Sequence, residues 1–135
     1  PKGPGQYPYH GRCPHSLYRS SGRRAYLPDR RDEIEIGMGI HGEKGIEVRK
    51  MMTADEVAET LVARITADMP LAEGDEVSVM VNGLGATPME EQLIVYRRVH
   101  QLLEEKGVKI FMPHVGEYAT SMEMAGLSVT VFKFR

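Results

Sequence analysis

The sequence predicts an α+β fold: a two-layer sandwich in which a mixed sheet carries its helices on one face, preceded by a disordered N-terminal segment. Three observations lead there. Apolar residues alternate with polar ones at Ile34 and Ile36, and again through Leu127, Val129 and Val131, the period of half-buried strands. Val57, Leu61 and Ile65 recur every four residues, and Leu93, Tyr96, Val99, His100 and Leu103 follow a 3–4 spacing, the period of amphipathic helices. The composition also breaks near residue 31.

The break is one of charge and of apolar content. Residues 1–31 hold seven Lys/Arg and one acid, a net of +6, whereas residues 32–135 hold ten Lys/Arg and eighteen acids, a net of −8. Five of the eight prolines lie in the first segment, and its only aliphatic residues larger than alanine are Leu17 and Leu27. Such a segment buries too little apolar surface to offset its ordering entropy, so residues 1–31 are expected to be unstructured. The 135 residues suffice for one domain with its own core, placed at 32–135. No apolar run approaches the roughly 18 residues that span a bilayer, and no signal-peptide core is visible. Cys13 is the only cysteine, which excludes an internal disulfide and points to a cytoplasmic setting. A net charge of −2 gives no push toward nucleic acid or membrane.

In chain order, residues 33–39 form the first expected strand, a glycine turn follows at 42–45, and residues 46–50 make a short extended piece. Thr53 and Glu56 have the S/T-x-x-E spacing of a capping box, opening a helix whose apolar face is Val57, Ala58, Leu61, Val62 and Ile65. The exit loop at 68–75 contains Pro70 and Gly74. Residues 77–81 hold three β-branched valines and are strand-like, and a glycine-rich loop at 82–88 leads into a helix over 89–106 that Gly107 stops. Residues 108–112 form a third strand, 114–120 a loop, 121–126 a short helical turn or loop, and 127–134 the last strand.

Several clusters invite chemical readings. The loop Asn82-Gly83-Leu84-Gly85-Ala86-Thr87-Pro88 resembles a phosphate cradle, because its amides lead into a helix N-terminus, but it is neither a P-loop nor a dinucleotide fingerprint, and a tight βα turn is the favoured reading. His10, Cys13 and His15 lack a fourth ligand for a metal site. His41-Gly42-Glu43 has the H-x-E of zinc deaminases without the downstream P-C-x-x-C. His100 reads as a half-buried packing residue, and His114 stands at a strand exit where it could face a cleft. Taken locally, His41 is a histidine in a glycine turn.

Three stretches together resemble the substrate-binding part of the dihydroxyacetone (glycerone) kinase family: Gly37-Met38-Gly39-Ile40-His41-Gly42-Glu43, Val81 through Pro88, and Val115-Gly116-Glu117-Tyr118-Ala119-Thr120-Ser121-Met122-Glu123-Met124-Ala125-Gly126. Their order and spacing agree with the second domain of that module, over about residues 32–135. The resemblance implies that an imidazole nitrogen of His41 adds to the ketone of dihydroxyacetone as a reversible hemiaminal, with Gly39 and Gly42 leaving room for the triose. It implies that the acid/base residues lie in a missing first domain. It implies no cofactor on this chain and no metal site; a nucleotide, ATP or ADP with Mg, belongs to a partner subunit or domain. The chain is accordingly expected to be a fragment with little kinase activity of its own. A second copy of the chain is a further candidate partner, and neither nucleic acid nor membrane is expected. The alternative is a non-catalytic binding or regulatory domain derived from such a kinase, for which Met51, Met52, Met122 and Met124 offer a surface.

The resemblance stops near Arg31. Upstream the family has a stretch like M-G-V-A-L-x-P-C-T-V-P-A. Synonymous codons for His10–Gly22, read one base forward, can spell M-G-V-A-L-T-P-C-T-V-P-A. Residues 1 to about 31 are therefore expected to be an out-of-frame reading of a kinase gene. Resequencing the DNA across the Arg31 junction should reveal the displaced frame; an uninterrupted frame with no such reading one base over would remove this explanation.

Overall fold

The computed structural model describes residues 15–19, 33–39, 43–121 and 124–134, the first five by their backbone. The elements are β1 (His15–Arg19), β2 (Glu33–Ile36), β3 (Glu47–Lys50), α1 (Ala54–Asp68), β4 (Glu76–Gly85), α2 (Met89–Glu105), β5 (Lys109–Gly116) and β6 (Ala125–Lys133). One six-stranded sheet has the order β3-β2-β1-β6-β4-β5. Only β4 and β5 run parallel; the other neighbours are antiparallel, so the sheet is mixed as expected.

A single apolar core shows how the layers stack. It joins Ile34 and Ile36 of β2, Val77, Val79 and Val81 of β4, and Leu127, Val129 and Val131 of β6. Each set lies two residues apart, so each strand turns one face inward. The same core takes Val57, Ala58, Leu61, Val62 and Ile65 of α1 and Val95, Val99 and Leu103 of α2. Both helices therefore lie on one face of the sheet, and the two-layer sandwich holds.

The start of α1 follows the sequence closely. The Thr53 side chain accepts from the Glu56 N–H, and Glu56 accepts from the Thr53 N–H at 2.8 Å. That N–H, with the Thr53 hydroxyl, holds the Glu56 carboxyl below the ordinary glutamate pKa. The exit of α1 is tied similarly. Asp75 accepts from the Ala72 N–H at 2.6 Å and pairs with Lys133 of β6 at 2.7 Å, and its pKa is lowered in that order of causes. Between the helices Arg98 bridges to Glu59 at 2.6 Å, and Arg97 pairs with Asp55.

Other expectations are corrected. Residues 15–19 form an interior strand within a segment whose composition predicts none. β2 and β6 supply main-chain partners on both sides, and that pairing is indifferent to side-chain polarity. The remainder of residues 1–31, including His10 and Cys13, lies outside the described residues. β2 ends at Ile36 rather than 39, because Gly37 takes a φ of +79° and turns the chain. β4 runs through the expected loop to Gly85, and β5 through the expected loop to Gly116, because Asn82 pairs with Gly116 and Gly83–Gly85 pair with β6. Pro113 is tolerated because β5 is an edge strand. Ala125 and Gly126 join β6 instead of the expected helical turn or loop. On α2 the buried face is Gln92, Val95, Val99 and Leu103, whereas Leu93 is exposed.

Thr53→Ala should lower stability at neutral pH by about 1 kcal/mol in urea unfolding. Because the folded-state pKa of Glu56 is depressed, its contribution is fully present above the ordinary glutamate pKa and is lost as pH falls through the folded value. The stability gap between wild type and Glu56→Gln should therefore close in acid; a gap of constant size would contradict the assignment.

Candidate functional site

The second and third glycine-bearing stretches meet where the parallel strands β4 and β5 end together. Parallel strands connected through a helix place their carboxyl ends on one side, and irregular chain beyond those ends is where sites are commonly built. Asn82, on β4, is only 3% exposed. Its Oδ1 accepts from the N–H groups of Tyr118 and Ala119 at 2.8 and 3.0 Å. Its Nδ2 donates to the Ala119 carbonyl at 2.7 Å and to Ser128 Oγ at 3.3 Å. Both lone-pair sites and both N–H groups of the carboxamide are thus used. Further along β4, the Gly85 N–H donates to Thr120 Oγ1 at 2.7 Å and the Ala86 N–H to the Met124 carbonyl at 2.8 Å.

These bonds decide between the two readings of residues 82–88. The amides of Gly85 and Ala86 are engaged by the chain itself, and α2 opens at Pro88 without a side-chain cap. The stretch is a strand end and a tight βα turn, and the glycines serve close packing. At Gly83 a Cβ would overlap the Gln92 carboxamide nitrogen and meet Glu117 Cγ at 3.2 Å. At Gly85, with φ +76°, it would meet the Met124 carbonyl at 2.7 Å. Gln92 is 1% exposed and donates to the Thr87 carbonyl at 2.8 Å, while its Oε1 is buried without a hydrogen-bond partner.

Around this anchor the chemistry-bearing side chains face outward. Tyr118 is 58% exposed, and its ring stands edge-on to His114 with centroids 6.1 Å apart. His114 belongs to β5, paired with Met80, rather than to a loop. His100 stays partly exposed on α2, 3.7 Å from Glu104 and edge-on to Tyr96.

The first stretch sits elsewhere in the sheet. Ile36 shares a row with Leu17, Leu127 and Gly83, so β1 and β6 stand between β2 and β4. β2 also runs opposite to β4. Ile40, His41 and Gly42 lie outside the described residues. The flanks of that stretch are closed: the Gly39 N–H donates to the Glu43 carbonyl at 3.0 Å, the Ile46 N–H to the Ile36 carbonyl at 2.9 Å, and the Gly45 N–H to Glu35 at 2.6 Å. The space a side chain would need at Gly39 is taken by the Glu43 carboxylate.

The methionine surface resolves into separate sites. Met51 is exposed and Met52 packs on the core, both along a groove of about 400 Å³ bordered by Val57, Ile94 and Leu127. Met124 is buried, and Met122 lies outside the described residues. Among the described residues no group of His, Cys, Asp or Glu could hold a metal, and no helix is long and apolar enough to cross a membrane. Sequence reasoning missed Asn82 and Gln92 as anchors; the signal available was a polar residue beside glycines, which reads as a loop.

Residues 20–135 match the Dak1 domain. The chain is 46% identical over 110 residues to the PTS-dependent dihydroxyacetone kinase 2, dihydroxyacetone-binding subunit DhaK, of Listeria innocua, covering 82% of this chain and 33% of that one. It is 50% identical over 103 residues to the L-erythrulose kinase of Pectobacterium atrosepticum, covering 73% of this chain and 18% of that one. The solved structure of the dihydroxyacetone kinase operon co-activator Dha-DhaQ superposes with a TM-score of 0.78 at 27% identity, over 89% of this chain and 39% of that one. The chain thus spans about a third or less of the curated relatives described here.

The tight approach at Gly83 makes a coupled prediction. Gly83→Ala should destabilise the protein by more than 1 kcal/mol, on the order of an overpacked core site. In a Gln92→Ala background the same substitution should cost distinctly less, so the double-mutant cycle in urea should be non-additive. Additive losses would show that the Gln92 side chain is not what Gly83 accommodates.

Proposed function

The chain belongs to the Dak1 domain family, and on that premise we propose that it is the histidine-bearing part of a kinase substrate-binding subunit that captures dihydroxyacetone on His41. The match over residues 20–135 carries the reading. Relatives named for dihydroxyacetone binding and for erythrulose phosphorylation support it, because both substrates are short ketoses with a free hydroxymethyl group. The three glycine-bearing stretches fall within the matched region.

The chemistry suits a small ketone. A neutral imidazole offers one nitrogen lone pair near pH 7. That lone pair forms a C–N bond to the carbonyl carbon, the π pair moves to oxygen, and the proton on the other ring nitrogen is lost as the alkoxide gains one. The product is a neutral hemiaminal, and the reverse path releases the ketone. Glycerol has the hydroxyls but no carbonyl, so this step rejects it more sharply than hydrogen bonding would. Gly42 adds no bulk beside His41. The missing side chain at Gly39 accommodates Glu43, whose carbonyl accepts from the Gly39 N–H. The unpaired face of the work belongs to other polypeptide: the acid/base residues to a first domain, and the nucleotide with its Mg to a partner subunit or domain. This chain alone would bind ketose and transfer little phosphate.

A second reading is a non-catalytic regulatory domain, favoured by the likeness to the operon co-activator at a TM-score of 0.78. The two part at turnover. Joined to the rest of its subunit and supplied with a phosphoryl donor, a kinase part supports phosphate transfer to dihydroxyacetone, whereas a regulatory domain captures the ketose without it.

Incubation with dihydroxyacetone labelled with carbon-13 at its carbonyl should give a protein-bound signal shifted from the ketone to the tetrahedral-carbon range, and should add one triose to the intact mass measured under native conditions. His41→Gln should abolish the adduct, and glycerol should give none. An unmodified wild-type chain, or an adduct surviving in His41→Gln, would overturn the assignment.

A further inference from the structure

On the helix-covered face of the sheet, register and sequence disagree at one strand. β1 is interior, paired with β2 on one side and β6 on the other. His15 stands in register with Val129, Leu17 with Ile36 and Leu127, and Arg19 with Ile34 and Ala125. Val129, Ile36, Leu127 and Ile34 are all buried and belong to the core beneath the helices, and α1 lies against β1 itself. Directly opposed residues of an antiparallel pair share a face, so positions 15, 17 and 19 fall on rows that belong to the core. The alternate positions do not: Ser16 is in register with Ser128, and Tyr18 with Glu35 and Gly126. Core rows are filled by apolar residues, and a charge without a partner is costly there. At two of the three core-row positions the sequence has a histidine and an arginine.

A second observation falls at the same place. Ile34 and Ala125, the register partners of Arg19, and Leu127, a partner of Leu17, border the groove of about 400 Å³ together with Val57 of α1 and Val95 of α2. Among the described residues that border it, Glu91 carries the one charge. Apolar space thus lies open over the row in which Arg19 stands.

We propose that the place between β2 and β6 is a slot for a strand of this chain with uncharged residues at positions 15, 17 and 19, and that His15 and Arg19 are misfits in it. The register and the groove carry this independently of the codon argument, and the two agree: the displaced reading of residues 10–21 has Thr, Cys and Val at those three positions. The consequence reaches beyond β1. In the strand order, β2 and β3 join the ladder of the sheet only through β1, and β2 leads straight into the glycine-bearing stretch at 37–43. The fit of the slot therefore governs how firmly that end of the sheet is held.

Urea unfolding and hydrogen exchange by mass spectrometry on the whole chain test this. Arg19→Val should raise the urea midpoint by about 0.5 M or more, the reverse of the usual result of a point substitution, and His15→Val/Arg19→Val should raise it further. Exchange in peptides covering β2 and β3 should slow at least several-fold. Ser16→Val makes a similar gain in strand propensity on the alternate rows and should bring no comparable rise. A chain carrying the displaced reading through residues 10–21 should rise at least as far as the double variant. If the present chain has no cooperative transition, the appearance of one in the double variant is the supporting result, and its absence there overturns the proposal. An unchanged or lower midpoint in Arg19→Val overturns it as well, and would mean that Arg19 is fitted to the groove with Glu91 as its partner; Glu91→Gln would then lower the midpoint too. Equal gains from Ser16→Val and Arg19→Val would reduce the effect to strand propensity and likewise overturn the slot.

Discussion

The parallel pairing of β4 with β5 is the constraint on which the rest of the structure depends. Two adjacent parallel strands cannot be joined by a hairpin; the chain must travel the length of the sheet and return. Here α2 makes that journey. Its return buries Val95, Val99 and Leu103 against Val77, Val79 and Val81, and α1 completes the same layer. The crossover also sends both strands in one direction, so Asn82–Gly85 and Gly116–Thr120 emerge side by side. Fold and candidate site are consequences of one connection.

Bringing two strand ends together leaves main-chain groups that a ladder no longer satisfies, and burial makes that costly. The protein answers with side-chain amides. Asn82 supplies two acceptors and two donors at the seam, and Gln92 takes up the Thr87 carbonyl at the mouth of α2. The Gln92 amide can enter so closely because its neighbour on β4 is Gly83, with no Cβ in the way. The glycines of this stretch thus serve packing between chain segments, with their amides already engaged, which is why a phosphate-cradle reading does not suit it.

The histidine-bearing stretch is built on another principle. It leaves β2, which runs against β4 with two strands between them, and its flanks are tied by short-range main-chain bonds. Family membership brings the three stretches into one matched region, in a chain that covers about a third of its relative named for dihydroxyacetone binding.

What the sequence determined by itself is whatever depends on near neighbours along the chain. The capping box at Thr53 and Glu56, the buried stripe of α1, the Gly107 stop and the inward alternation of β2 and β6 all follow from local periodicity, and so did the two-layer architecture and the family's motifs. Only the tertiary structure decided the rest. Strand order, the inclusion of residues 15–19 as an interior strand, and the extension of β4 and β5 through glycines depend on backbone partners far away in sequence, and backbone hydrogen bonding leaves no trace in side-chain pattern. The buried face of α2 was misjudged at Leu93 because Gln92 looks like a surface residue until a distant turn presents the carbonyl it bonds. Asn82 is the same case. A polar residue beside glycines reads as loop, and only the arrival of Tyr118, Ala119 and Ser128 makes it the buried anchor of the site.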